Sequence, residues 1–421
     1  MTIRRVLLLA TFALPLPACG GGGAASVDAP IVPATPGSGG DGGVVLSAKA
    51  SRTQILVDPT TSDDLRKLCE EKGSSVIGDC PGTAYCIVEV PKTTTVEKFL
   101  EDVADESCVE DAMPDEGVEL PGGEGSTIPA FVEEDPSGVV AQAALERIGA
   151  SAARLRDRRG EGVVVAIVDT GVDAEHPFLR GRVLPGWDFV DGDDDASDVG
   201  NGLDDDRDGD VDEGVGHGTF VASLVLAVAP MARILPVRAL DSDASGSASS
   251  VAQAVSWAVS MGARVVNFSG GLSRDLRYVQ QAVESARASG VLVVAAAGNT
   301  GAAVQSPARI AEVLAVSSVG LDDVKSDFAA YGPQVDLVAP GEDLVGAHPL
   351  SPTGYARWSG TSFATALVTG AVAIMQGMLG VVPPDDLVAP ILSTAVPVDD
   401  LNPVHKDLLG AGRLDLDAAT R

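Results

Sequence analysis

The sequence predicts an α/β protein: a doubly wound, mostly parallel sheet with helices on both faces, preceded by a small α+β domain. Two observations carry this. Beyond residue 139, continuous apolar runs at 163–168, 265–268, 291–297 and 313–316 alternate with helical stretches at 249–261 and 276–288. Strands that lack polar alternation are buried on both faces, the condition of a parallel sheet covered by helices. Between residues 44 and 114 the pattern differs. A strand at 54–57, a helix at 62–72 capped by Ser62, a strand at 85–90, a helix at 95–103 and a last strand from Val109 follow one another. With a further strand between the first helix and Tyr85, the order places two helices on one face of a sheet.

At 421 residues, 45% hydrophobic and 21% charged, the chain suits one large domain plus smaller pieces. A net charge of -31 excludes the basic footprint that nucleic-acid binding requires. The acidity reads as a solubilising surface, part of it clustered enough to hold calcium.

Arg4 and Arg5 precede an apolar stretch at 6–16 that is too short to span a bilayer, as in an export signal. Leu16-Pro17-Ala18-Cys19 is similar to the lipobox of bacterial lipoproteins. Residues 1–19 are therefore read as a signal ending in an acylated cysteine, with an ordinary secretory signal as the alternative. The expected location is the periplasm or the cell surface, or outside the cell if secreted, with the lipid at Cys19 as the sole membrane contact. Residues 20–43, mostly Gly, Ala, Pro and Ser, form a flexible tether. Cys69, Cys80, Cys86 and Cys108 then suggest two disulfides. Three pairings are allowed; a turn at Pro81-Gly82 favours Cys80 with Cys86, leaving Cys69 with Cys108. Residues 115–138 are acidic, rich in Gly and Pro and aperiodic, and read as a linker to a large domain at 139–421.

In an open parallel sheet, reactive groups gather beyond the carboxyl ends of the strands. Asp169 lies there, closing the run that begins at Val163. His217, one of only four histidines, stands between two glycines ahead of the apolar run 220–228. Ser362, in Ser359-Gly360-Thr361-Ser362-Phe363-Ala364, opens a long helical pattern. A serine there is ordinarily a cap, but helix N–H groups also face developing negative charge. Asn299, in Ala296-Ala297-Gly298-Asn299, ends another apolar strand and offers a side-chain donor.

In this order and spacing, the four segments resemble the subtilisin-like serine proteases, the subtilases of peptidase family S8, over about two-thirds of the chain, from Gln142 to Leu414. The resemblance implies a serine endopeptidase: Ser362 as nucleophile, His217 as general base and acid, Asp169 orienting the imidazole, and Asn299 in the oxyanion hole. It implies that Ser269, Gly270 and Gly271 line the substrate cleft opposite Ala296 and Gly298. It also implies that the small domain is an inhibitory propeptide, that the precursor cuts itself within 115–138, and that the partners are protein or peptide substrates. A monomer is expected. An inactive binding module of the same family would have lost one of the four residues, and all are present. An esterase with the same triad would not need the peptide-pairing segment at 269–271.

Two departures bear on calcium and specificity. The loop at 301–307 is short, and the family's calcium loop after the histidine helix is missing. An acidic insertion lies before His217 instead, with Asp204, Asp206, Asp208 and Gly209 in the spacing of half an EF-hand loop and Asp210 and Asp212 following. Val215 stands where the bidentate glutamate belongs, so Glu213 or Asp212 is expected to replace it.

Overall fold

The computed structural model describes residues 54–59, 61–79, 83–120, 129–132, 136–351 and 353–421. The export signal, Cys19, the tether and Cys80 lie outside the described residues.

The small domain runs β1 (Gln54–Pro59), α1 (Ser62–Glu71), β2 (Ser75–Asp79), β3 (Cys86–Glu89), α2 (Val96–Ala104) and β4 (Val109–Pro114). Its antiparallel sheet has the order β2-β3-β1-β4. Alternation along β1 divides its side chains. Ile55 and Val57 join Leu65, Phe99 and Val103 under the two helices, while Leu56 faces the other way. Thr61, not Ser62, caps α1, accepting from the Asp64 N–H at 3.1 Å. The bridge expected between Cys69 and Cys108 is absent, because Cys69 is a buried free thiol. Burial pushes its pKa up to about 11, so it packs as a small hydrophobe.

Beyond it come β5 (Gly117–Glu119), β6 (Ala130–Phe131), α3 (Pro136–Ala141), α4 (Ala143–Arg147), α5 (Ala150–Leu155), β7 (Val164–Asp169) and β8 (Trp187–Asp188). The chain continues through α6 (His217–Val228), β9 (Arg233–Arg238), β10 (Ser245–Ser247), α7 (Ala248–Ser260), β11 (Val265–Phe268), α8 (Arg277–Ala288), β12 (Leu292–Ala296) and β13 (Leu314–Val319). It ends with β14 (Leu337–Pro340), β15 (Leu344–Ala347), β16 (Tyr355–Trp358), α9 (Thr361–Leu379), α10 (Pro384–Ser393) and α11 (Leu416–Ala419).

The seven-stranded sheet has the order β14-β13-β12-β11-β7-β9-β8, and each neighbouring pair is parallel. The apolar helices α6 and α9 cover one face with Ile167, Val265 and Val316; α7 and α8 cover the other with Ala166, Val266 and Ala295. Gly370 sets the α6–α9 approach. A Cβ there would lie 2.6 Å from the Val228 Cβ and 3.0 Å from the Val225 carbonyl oxygen. The starts of the two helices, where His217 and Ser362 sit, also meet, with the Phe220 and Phe363 ring centroids 4.5 Å apart.

Residues 115–120 are not a free linker. Asp115 and Val118 are buried, and β5 pairs antiparallel with β10. No periodicity marked this strand because the surface that orders it belongs to the large domain.

Candidate active site

Asp169 ends β7 and His217 begins α6, and their side chains meet: Nδ1 lies 2.8 Å from Asp169 Oδ1. Asp169 is 0% and His217 4% exposed. The Thr170 N–H also donates to Oδ1, at 2.8 Å, fixing the carboxylate. A carboxylate on Nδ1 holds the proton there and leaves Nε2 as the basic nitrogen. The imidazole is packed by Trp358 and Phe363, with ring centroids 5.6 and 5.4 Å away.

A buried carboxylate that the sequence did not single out organises this pair. Asp198 accepts from the Gly216 N–H at 2.9 Å, from the Thr219 N–H at 3.0 Å and from the Thr219 hydroxyl at 2.6 Å. It thereby caps the start of α6, and the Thr170 hydroxyl reaches it at 3.2 Å. Burial raises its pKa, the donors from Thr219 and Gly216 lower it, and the nearby Asp169 charge raises it again. Nothing in the acidic insertion distinguished it from its neighbours in sequence.

Ser362 is the second residue of α9 and is buried. Its hydroxyl points to the Ser269 carbonyl oxygen at 3.5 Å. Asn299, just beyond β12, accepts through Oδ1 from the Thr361 N–H at 2.9 Å and the Thr361 hydroxyl at 2.8 Å. These bonds turn Nδ2 toward Gly360, 3.5 Å from where a Cβ on that glycine would sit. The four residues expected from the sequence are thus gathered at one end of the sheet and at two adjacent helix starts.

The profile of the subtilase family matches residues 160–412. This chain belongs to the subtilase family. It is 40% identical over 227 residues to thermitase from Thermoactinomyces vulgaris, covering 51% of this chain and 75% of that one. It is 36% identical over 287 residues to subtilisin Savinase from Lederbergia lenta, covering 66% of this chain and 97% of that one. Among solved structures it resembles fervidolysin from Fervidobacterium pennivorans, a keratinolytic enzyme related to subtilisin, with a TM-score of 0.74 at 23% identity. That match covers 90% of this chain and 63% of fervidolysin. The protein is a subtilisin-like serine peptidase.

In this subtilase the two segments expected to line the cleft leave neighbouring strands. Ser269, Gly270 and Gly271 follow β11, and Ala296 and Gly298 lie at the end of the adjacent β12. β5 lies beside the first of these segments. Glu119 and Gly271 exchange both backbone bonds, at 3.4 and 2.8 Å, and the Leu120 N–H donates to the Ala244 carbonyl at 3.1 Å. The space left by Gly270 is taken up: a Cβ there would meet the Phe268 ring and, at 3.1 Å, the Val118 side chain.

The acidic insertion only partly follows expectation. One carboxylate oxygen each from Asp204, Asp206 and Asp208 lies within 4.8 Å of the others. Asp210 and Asp212 are not in that group. Asp212 is turned back on the loop, where it accepts from the Asn201 and Gly202 N–H groups at 2.9 and 3.2 Å. Glu213 faces Asp243, Asp206 and Asp208, and burial together with these charges pushes its pKa up to about 7.

Proposed function

We propose that this subtilase is an exported endopeptidase, made as a precursor that cuts itself, with Ser362 as its nucleophile. The observation that carries the reading is the buried Asp169–His217 pair beside a serine at a helix start. His217 Nε2 takes the Ser362 proton as Oγ attacks the peptide carbonyl, and returns it to the leaving amine. Water then hydrolyses the acyl-enzyme by the same proton route. Asp169 keeps the imidazole in its working tautomer and stabilises its charged form. The long Ser362–Ser269 contact suits a resting hydroxyl that rotates to the imidazole when substrate arrives.

The Asn299 Nδ2 and the Ser362 N–H receive the oxyanion. Losing a side-chain donor of this kind costs about 100- to 1000-fold in turnover, a value known for the family's own asparagine.

The pairing of β5 supplies the processing site. Glu119 pairs antiparallel with Gly271, two residues along from Ser269, whose carbonyl accepts from Ser362, and this favours a cut in the segment that follows β5. Full-length wild type is expected to yield a mature chain beginning within residues 121–138, and Ser362→Ala to remain uncut. Equal processing of both, read by intact-mass analysis, would assign the cut to another protease. With Cys19 acylated, the cut frees the catalytic domain from its anchor; labelled palmitate incorporated by wild type but not by Cys19→Ala tests that step.

Calcium fits the Asp204, Asp206 and Asp208 group, since hard carboxylate oxygens on one loop suit it, and Glu213 is the nearby replacement ligand. Bound there, the ion would brace the loop that leads to His217. Calorimetric titration is expected to show binding that Asp206→Ala removes. An unchanged melting temperature in EDTA with no binding heat would discard the site.

A further inference from the structure

We propose that Gln305 forms the floor of the pocket for the substrate residue preceding the cut bond, and that its amide selects short side chains, polar ones above all. The proposal rests on the peptidase reading above and extends it to specificity.

Two backbone segments flank the nucleophile: 269–271 beyond β11 and 296–298 beyond β12. The chain at 305–306 is bonded to both. The Gln305 N–H donates to the Ala297 carbonyl at 2.9 Å, the Leu272 N–H to the Ser306 carbonyl at 2.8 Å, and the Ser306 N–H back to Leu272 at 3.3 Å. This short cross-connection closes the slot between the walls. The Gln305 side chain then enters the slot. A Cβ on Gly271 would lie 2.7 Å from its Oε1, and a Cβ on Gly298 would collide with the same oxygen. Both glycines are therefore in van der Waals contact with one amide, and neither tolerates a side chain beside it.

Two consequences follow. Space that a flat ring would take between the walls is occupied by the amide, so aromatic side chains are excluded. Gln305 Oε1 is also buried and has no hydrogen-bond partner among the described residues, an unfavourable state that an incoming donor relieves. A substrate serine, threonine or asparagine brings that donor. A site built to bond a polar group discriminates against analogues lacking it more sharply than an apolar pocket does.

The test uses mature enzyme processed from the full chain, quantified by active-site titration, and peptide anilides that differ only in the residue before the cut. Wild type is expected to cleave the serine and alanine peptides at least about 10-fold better, in kcat/KM, than the phenylalanine peptide. Gln305→Gly is expected to raise the phenylalanine-to-alanine ratio by about 10-fold or more. Gln305→Leu keeps the bulk without the acceptor, and should lower the serine-to-alanine ratio several-fold while phenylalanine stays excluded. A wild type that prefers phenylalanine, or ratios that both variants leave within twofold, overturns the proposal. A wild type that takes up the titrant but cleaves none of the peptides overturns the peptidase reading itself, and this inference with it.

Discussion

Asp198 illustrates how much of a triad's geometry is held by groups outside it. Its carboxylate ties the first turn of α6 to Thr170, the neighbour of Asp169, so two triad members share one support. Asp198→Ala strands two buried N–H groups and a hydroxyl, and is expected to cost about 2 kcal/mol of stability. Because it releases the helix start that carries His217, kcat is expected to fall about 10- to 100-fold with KM little changed. Steady-state kinetics beside thermal melts check this; a stability loss with unchanged kcat would leave Asp198 a purely structural cap. Asp169, His217 and Ser362 were legible because each stands in a short local pattern at the end of an apolar element. Asp198 and Gln305 were not, since their roles come from residues distant in sequence.

Elements repeat the same division. The buried strands and helices of the large domain were readable because burial on both faces imposes an unbroken apolar run. The strand β5 was not, because its partners are β10 and Gly271 rather than any neighbour in sequence. Its approach is anchored by Asp115, which accepts from the Ser249 N–H at 3.1 Å, the Ser249 hydroxyl at 2.6 Å and the Tyr278 hydroxyl at 3.1 Å. Ser249 lies in the first turn of α7, so the contact joins the segment before β5 to a helix start. Burial outweighs these donors and pushes the Asp115 pKa up to about 6, from 3.8. The raised value fixes the sign: the docked state is favoured fully below 3.8, and that contribution is gone once pH rises above about 6. The cut propeptide should therefore stay bound at pH 4 and leave at pH 7.5, the affinity differing by about 100-fold. Asp115→Asn, which mimics the neutral acid, should hold it at both. Co-elution of the fragments on size exclusion reads this; release that is independent of pH in wild type would count against Asp115 as the cause.

At the scale of the whole molecule, one face of the small domain's sheet packs against the large domain. Leu56, Tyr85 and Ile87 join the same apolar cluster as Tyr278 and Val251, with the Tyr85 and Tyr278 rings 5.8 Å apart. Arg274 pairs with Glu116, and the Gln281 side chain accepts from the Ala84 N–H at 3.1 Å. The order of domains and the sheet were legible from apolar patterning. The docking was not, because period-2 alternation in β1 shows that a second face is apolar but does not say what covers it. The Cys69–Cys108 pairing misled for a related reason: cysteine spacing constrains the chain without fixing where each side chain points. The reaction depends on none of these. The proposed mechanism rests on one serine made nucleophilic by a buried histidine and aspartate, which a fluorophosphonate reports directly. Processed wild type should gain a single adduct that peptide mapping places on Ser362, and His217→Ala should gain almost none. An adduct elsewhere, or labelling that survives the loss of His217, would contradict the account.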